Sequence, residues 1–372
     1  NVYITALADL FPDRMADARR GFEKAAAEDA AFGKAYKVTD ETTFVGWDSY
    51  KQVLATDCDL VILAAPPAFR SMHLSAAALA GKHVFAEKPV AVDVATAIEA
   101  MAAADLFKKK GLGYVAGTQR RHDPRYVETI KRIHDGAIGE VLNAHVYWNQ
   151  GGLWSHARKP EWSDMEFQLR NWLYYTWASG DHIVEQHVHN IDVANWVFGA
   201  YPVRATAMGG RQTRTDPVYG HIFDHFAVEF EYADGRRVTS WCRQQDGTQS
   251  KVAEWFHGTK GRSNAYDTIE GANAWKHPRL EGMNPYVEEH RDLVASIRAG
   301  SPLNEGRQIA MSNLAAILGR EAAYTGQSIT MDELMLSNLN ILPTSWAFGP
   351  LATPAVPTPG ETTLQRGFSE GW

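Results

Sequence analysis

The sequence predicts an α/β fold: a Rossmann-type parallel sheet whose N-terminal part is missing, then an α/β domain with a large, open, mainly antiparallel sheet. Three observations predict it. Short apolar runs at 2–8, 59–65, 83–86 and 113–117 alternate with helical stretches, the spacing of βαβ units. Past residue 141 the runs lengthen, and Phe226, Val228, Phe230 and Tyr232 alternate with Ala227, Glu229 and Glu231, the period of a half-buried strand. Ala233-Asp234-Gly235 joins two of these runs as a hairpin turn.

The elements follow in order. Residues 2–8 read as a buried strand ending at Asp9, and 12–27 as a helix with Pro12 in its first turn. A short helix runs to Leu54, capped by Asp48 or Ser49. The strand at 59–65 is closed by Pro66-Pro67, and an Ala-rich helix over 71–80 is stopped by Gly81. A third strand, 83–86, runs into Glu87-Lys88-Pro89. Asp93 caps a helix to about Lys108, and the strand at 113–117 precedes Gln119-Arg120-Arg121. In parallel sheets ligands bind beyond the carboxyl ends of the strands, so Asp9, Pro66-Pro67, Glu87-Lys88-Pro89 and Gln119-Arg120-Arg121 are expected around one crevice. Strands are expected over 141–149, 203–209, 226–232 and 237–243, and helices over 285–299 and 308–325, with Gly300 and Gly326 as stops. The organisation is thus a dinucleotide-binding domain over 1–122, a substrate and oligomerisation domain over 123–342, and a Pro/Gly-rich arm over 343–372. That arm reads either as a disordered end or as a strap over a neighbouring subunit.

Composition narrows the function. With 372 residues, 45% hydrophobic and 22% charged, the chain is an ordinary globular protein large enough for two domains. A formal net charge of -7 argues against nucleic acid as partner. No apolar run reaches membrane-spanning length. Cys58 and Cys242 are far apart, which excludes a disulfide framework and leaves both cytoplasm and periplasm open. There is no start methionine and no secretory leader.

The densest chemistry lies in 180–199, GDHIVEQHVHNIDVANWVFG. On one helix, His182, Glu185, His189 and Asp192 would share a face. An imidazole beside carboxylates on a rigid element is equipment for moving a proton. Pro89 biases Lys88 toward extended backbone, where its amine can hold a substrate hydroxyl. Asp9 reads equally as the acid that accepts ribose hydroxyls, favouring NAD over NADP, and as a helix cap. The G-x-G-x-x-G turn is absent, although it precedes that acid by about twenty residues in such folds and only eight residues precede Asp9 here. Either the chain starts late or the first strand, glycine loop and first helix are lacking; a strand at the very start favours the former. Glu185, His187 and His189 raise zinc or manganese as an idea, but His187 points away from the others on one helix, so no metal is assigned.

These residues resemble the glucose-fructose oxidoreductase, inositol dehydrogenase and rhizopine catabolism family (Gfo/Idh/MocA). The matching positions are Asp9 after a strand, 59–67 with His73, 81–89 ending in Glu87-Lys88-Pro89, Gln119-Arg120-Arg121, and His189-Asn190-Ile191-Asp192 before Trp196 and Gly199. The resemblance spans about 2–330. It implies hydride transfer between NAD or NADP and a hydroxyl-bearing carbon of a sugar, glycoside or cyclitol, in a homo-oligomer. It implies Lys88, His189 and Asp192 as catalytic residues, with Glu185 where many members carry Asp. Arg121, Trp172, Tyr174 and Trp177 are further candidates for the carbohydrate pocket. Two rival readings stay open: a glycoside hydrolase acting by oxidation and elimination on bound NAD, and a non-redox relative without cofactor.

Overall fold

The computed structural model describes residues 2–365. The N-terminal lobe holds two pieces of parallel sheet. Strand β1 (Leu7–Asp9) is followed by helices α1 (Pro12–Glu28) and α2 (Ala30–Ala35), then β2 (Thr43–Val45), which pairs with β1. Helix α3 (Ser49–Leu54) leads to β3 (Leu60–Leu63), α4 (Arg70–Ala80), β4 (His83–Ala86), α5 (Val94–Lys109) and β5 (Tyr114–Ala116). β3, β4 and β5 form a separate parallel sheet in that order.

Local chemistry explains these elements. Asp93 and Thr96 form a capping box at the start of α5. Gly81 ends α4 at φ 72, a left-handed conformation that suits glycine. Alternation divides the β3–β5 sheet into two faces. Val84, Ala86, Tyr114 and Ala116 bury against α4 and α5, while Phe85 and Val115 bury against Leu293. Parallel strands covered on both faces are the expected arrangement. The exception is Ile62, which is 60% exposed within β3; β3 has no strand on its outer edge. The expected first strand is shorter than the sequence pattern suggests, because Ile4 makes only an isolated bridge to Tyr36.

Helix α6 (Pro124–His134) enters the second lobe. Its strands are β6 (Val141–Gln150), β7 (Arg204–Gly210), β8 (His225–Glu231), β9 (Arg237–Gln244), β10 (Lys251–Gly258), β11 (Gly261–Ser263), β12 (Thr268–Gly271), β13 (Trp275–Lys276) and β14 (Ile329–Thr330). They form one nine-stranded sheet, ordered β13-β12-β11-β10-β6-β9-β8-β7-β14. Every neighbouring pair is antiparallel except β6 with β9. Four short or medium helices lie between β6 and β7: α7 (Asp164–Arg170), α8 (Thr176–Ser179), α9 (His182–Glu185) and α10 (Val188–Phe198). Helices α11 (Pro285–Arg298), α12 (Gly306–Thr325) and α13 (Met331–Leu336) complete the chain's regular elements. α12 is buried on all sides over its last fourteen residues, Ser312 to Thr325, and packs against α5, α9, α10, β7 and β8.

The structure corrects two expectations. Residues 182–198 are two helices, broken at Gln186 and His187, so His182, Glu185, His189 and Asp192 do not share one helical face. The tail is not a loose end where its aromatic residues dock on the body of the chain. Trp346 packs on Trp47, Phe69 and Trp177, and Phe348 on Phe11 and Trp47. Backbone bonds tie Met165 to Gly349 and Gly360 to Thr325. The rest of the expected arm, 366–372, lies outside the described residues. No helix among the described residues is long and apolar enough to cross a membrane.

Candidate active site

The site forms where the end of β4 meets the break between α9 and α10. Glu87-Lys88-Pro89 follows β4 directly, with a cis Lys88–Pro89 bond. The Glu87 carboxylate lies against Gly117, where a Cβ would come within 2.5 Å of it; glycine is required there for Glu87 to close over the end of β5. Lys88 reaches across to the second lobe. Its Nζ donates to Glu185 O at 2.6 Å, to Glu185 Oε1 at 3.2 Å and to Gln186 Oε1 at 3.2 Å. All three ammonium hydrogens thus have acceptors. The two longer bonds are the ones a substrate hydroxyl can replace.

His189 stands one turn beyond. Its ring is buried, stacks on Trp148 at 5.7 Å between centroids, and leaves Nδ1 without a partner. Burial, followed by the charges of Lys88, Arg120 and His187, holds its pKa well below the ordinary value. The imidazole is therefore neutral at neutral pH and able to accept a proton. Arg120 extends this cationic wall. It lies 5.7 Å over the Trp148 ring and pairs with buried Glu254, which also accepts from Asn190 at 2.6 Å.

Two predicted site residues are spent on each other. Arg121 donates to Asp192 through Nε at 2.7 Å and Nη2 at 2.9 Å, and Ser312 Oγ adds a bond to Asp192 Oδ1 at 2.8 Å. The Arg121 guanidinium also sits 4.8 Å over the Trp196 ring. This bidentate pair joins the first lobe to α10 and leaves neither charge free for a hydroxyl, which changes the role expected of both. Tyr174 is buried, and its hydroxyl donates to Leu153 O and Trp154 O. Trp177 donates its indole N–H to Gln168. Trp172 packs edge-on to Trp154. These aromatic residues belong to a separate apolar cluster. The single donor of Trp177 is spent on Gln168, and the hydroxyl proton of Tyr174 is engaged by backbone carbonyls. His187 bonds Ser240 Oγ at 2.7 Å, and no group of three His, Cys, Asp or Glu among the described residues could hold a metal ion.

Gln186 and Trp148 lie at the candidate site without any signal in the sequence; Arg120 was expected at the crevice as part of Gln119-Arg120-Arg121. A separate cavity of about 660 Å³ lies under the tail, lined in part by Arg158, Phe167, Gln168, Tyr175 and Tyr219.

The remaining strand ends suit a dinucleotide in part. Asp9 sits at the carboxyl end of β1, half-buried, with Oδ1 accepting from Phe11 N at 2.8 Å; this bond steadies the turn before α1, whose N-cap, Phe11, has no side-chain cap. Pro66 opens the turn after β3, held by buried Arg70, which donates to Leu63 O and, at 2.6 Å, to Ala65 O. Asp9, Glu87 and Lys88 are the polar side chains at these strand ends that could hold a dinucleotide. Only eight residues precede Asp9 in this sequence, fewer than the span by which a pyrophosphate turn precedes such an acid.

The model described as "Oxidoreductase family, NAD-binding Rossmann fold" matches residues 7–117, and the "GFO/IDH/MocA C-terminal domain" matches 126–263. The chain belongs to the Gfo/Idh/MocA family. Within that family it is 25% identical over 284 residues to an inositol 2-dehydrogenase of Rhizobium meliloti, covering 72% of this chain and 78% of that protein. It is 28% identical over 204 residues to a 2,7-anhydro-N-acetylneuraminate hydratase of Escherichia coli, covering 55% of this chain and only 50% of the hydratase. Among solved structures, a levoglucosan dehydrogenase in complex with NADH and levoglucosan shares the fold, with a TM-score of 0.65 at 19% identity over 89% of this chain and 90% of that one. The family assignment makes the N-terminal lobe an NAD-binding Rossmann domain.

Proposed function

We propose that this Gfo/Idh/MocA protein interconverts a hydroxyl and a carbonyl on a sugar, glycoside or cyclitol. One observation carries the reading: Lys88 of the first lobe bonds Glu185 and Gln186 of the second, beside the neutral, buried imidazole of His189. NAD, when bound, supplies the hydride acceptor. His189 takes the hydroxyl proton, and Lys88 gives up a bond to Glu185 Oε1 or Gln186 Oε1 to hold the reacting oxygen. A fixed ammonium there stabilises the negative charge that builds as the proton leaves. Asp192 and Arg121 act behind this pair by fixing α10 against the first lobe. Glu185 and Gln186 orient Lys88.

A panel of polyols and aldoses with NAD, followed by NADH absorbance, tests the reading. Turnover on at least one, lost in His189→Ala with nucleotide still bound, supports it; no turnover on any removes it. The likeness to a protein named as a hydratase favours one second reading, transient oxidation followed by elimination. Free sugar released from a glycoside without net NADH would select it.

Self-association is proposed as well. Met208, Ala227, Trp241 and Tyr147 are register neighbours across β7, β8, β9 and β6. Met208 is 76% and Trp241 47% exposed, an apolar row suited to a second copy. Sedimentation as a monomer at micromolar concentration would contradict it.

A further inference from the structure

We infer that Arg320 is a positioning residue that holds the Lys88 segment and the Glu185–His189 helix pair in register; its effect on turnover rests on the function proposed above, its geometry does not. Arg320 lies in α12 and is fully buried. Its Nη1 donates to Val92 O at 2.7 Å and to Gly180 O at 3.1 Å. Val92 follows Lys88 by four residues, and Gly180 begins the turn into α9. One guanidinium therefore ties together the backbone on both sides of the Lys88–Glu185 contact.

The same helix supports each side separately. Asn313 Oδ1 accepts from Val90 N at 2.9 Å. Tyr324, one turn past Arg320, donates to Asp181 Oδ2 at 2.5 Å. Asp181 holds φ at 69, rare for a residue with a side chain. Such a conformation persists only where the surroundings over-determine it. Here His182 N, Phe223 N and Tyr324 all bond its carboxylate. Gly180 has φ 83, and a Cβ there would come within 2.7 Å of Val184. The turn is thus a shaped piece, and Arg320 seats its Gly180 carbonyl.

A buried guanidinium is costly unless paired. Glu321 Oε1 sits 2.8 Å from its Nε and neutralises it. An apolar side chain would fill the space at less cost. What arginine adds is directed donors on one rigid plane, which lysine, a point charge on a flexible stem, does not supply.

The test uses the full chain with Arg320→Lys and, separately, Tyr324→Phe. It reads amide hydrogen exchange in 88–93 and 180–186, and turnover of myo-inositol with NAD as the probe. In Arg320→Lys both segments should exchange faster together. The kcat should fall about 10- to 100-fold with KM unchanged, since misplacement of order 1 Å costs about that much. Acceleration in one segment or in neither, or in both without loss of kcat, overturns the proposal. Tyr324→Phe frees Asp181 but keeps Arg320, so loosening of the turn should reach 88–93 through the shared guanidinium; unchanged exchange there overturns the proposal even if the arginine variant does not fold. If the wild type turns over no polyol, the functional reading fails while the exchange result still decides the coupling.

Discussion

At the scale of single residues, the account rests on His189 being neutral and Lys88 being charged in the same small space. His189→Ala should lower kcat by about 10²- to 10⁴-fold, the ordinary worth of a general base, while nucleotide binding measured by fluorescence stays. The acid limb of the rate profile should lie below pH 6.5, because burial and the neighbouring cations lower the His189 pKa. Activity that halves near 6.5 would mean the ring is open to water. Lys88→Met should destabilise the fold by about 3 kcal/mol in urea titration, because it leaves the buried Glu185 carboxylate without its cation. Both residues were legible in the sequence: Pro89 gave Lys88 its extended setting, and the run of ionisable residues before Val193 marked His189. Trp148 and Gln186 were not. A tryptophan on a strand and a glutamine on a helix carry no signal until packing puts them against the ring and the amine.

At the scale of elements, the break at Gln186–His187 decides the geometry. A continuous helix would have pointed Glu185 and Asp192 the same way. The observed break turns Glu185 to Lys88 and leaves Asp192 for Arg121. Helical periodicity cannot show such a break, because neither residue is Gly or Pro. Strand and helix ends, by contrast, were readable wherever a cap stated them: Asp93 at α5, Gly81 after α4, Gly326 after α12. The strands β10 to β13 escaped, because their polar residues hide the alternation. The Asp192–Arg121 tie predicts that Asp192→Ala destabilises by about 3–5 kcal/mol, since a nearly buried guanidinium loses its partner. Arg121→Met with Asp192→Leu should recover most of that loss, which urea titration of the three variants would show.

For the whole molecule, buried titratable groups set how stability varies with pH. Burial lowers His73 and His187 to about 3 and His221 to about 4, and lowers His189 as well. The unfolded chain binds protons at these sites below about 6.5 while the folded chain does not, so acidification destabilises, by about 1.4 kcal/mol per pH unit for each group. Glu289 and His122 are among the groups that act the other way. Burial and the charge of Glu87 push Glu289 up to about 8. Burial alone would lower His122, but its bonds to Glu305 and Asp292 push it up to about 9. The folded state keeps these protons longer, so the contribution of Glu289 is lost as pH rises from 4.5 to about 8 and that of His122 from 6.5 to about 9. Stability should peak near pH 6.5 and fall on both sides; a steady rise from pH 6.5 to 9 would contradict this. The tail also belongs to this scale. Truncation after residue 342 removes Trp346 and Phe348 from Trp47, Phe69 and Phe11, and should expose apolar surface detectable by dye binding. The sequence showed the tail's proline and glycine content but not its destination, which depends on rings brought together from both lobes.

The most direct test of the central claim is a crystal structure of the full chain with NAD and a polyol that it turns over. The account predicts one carbinol oxygen within hydrogen-bond distance of both Lys88 Nζ and a ring nitrogen of His189. A polyol bound instead in the cavity beside Arg158 and Tyr175, out of reach of Lys88 and His189, would contradict it.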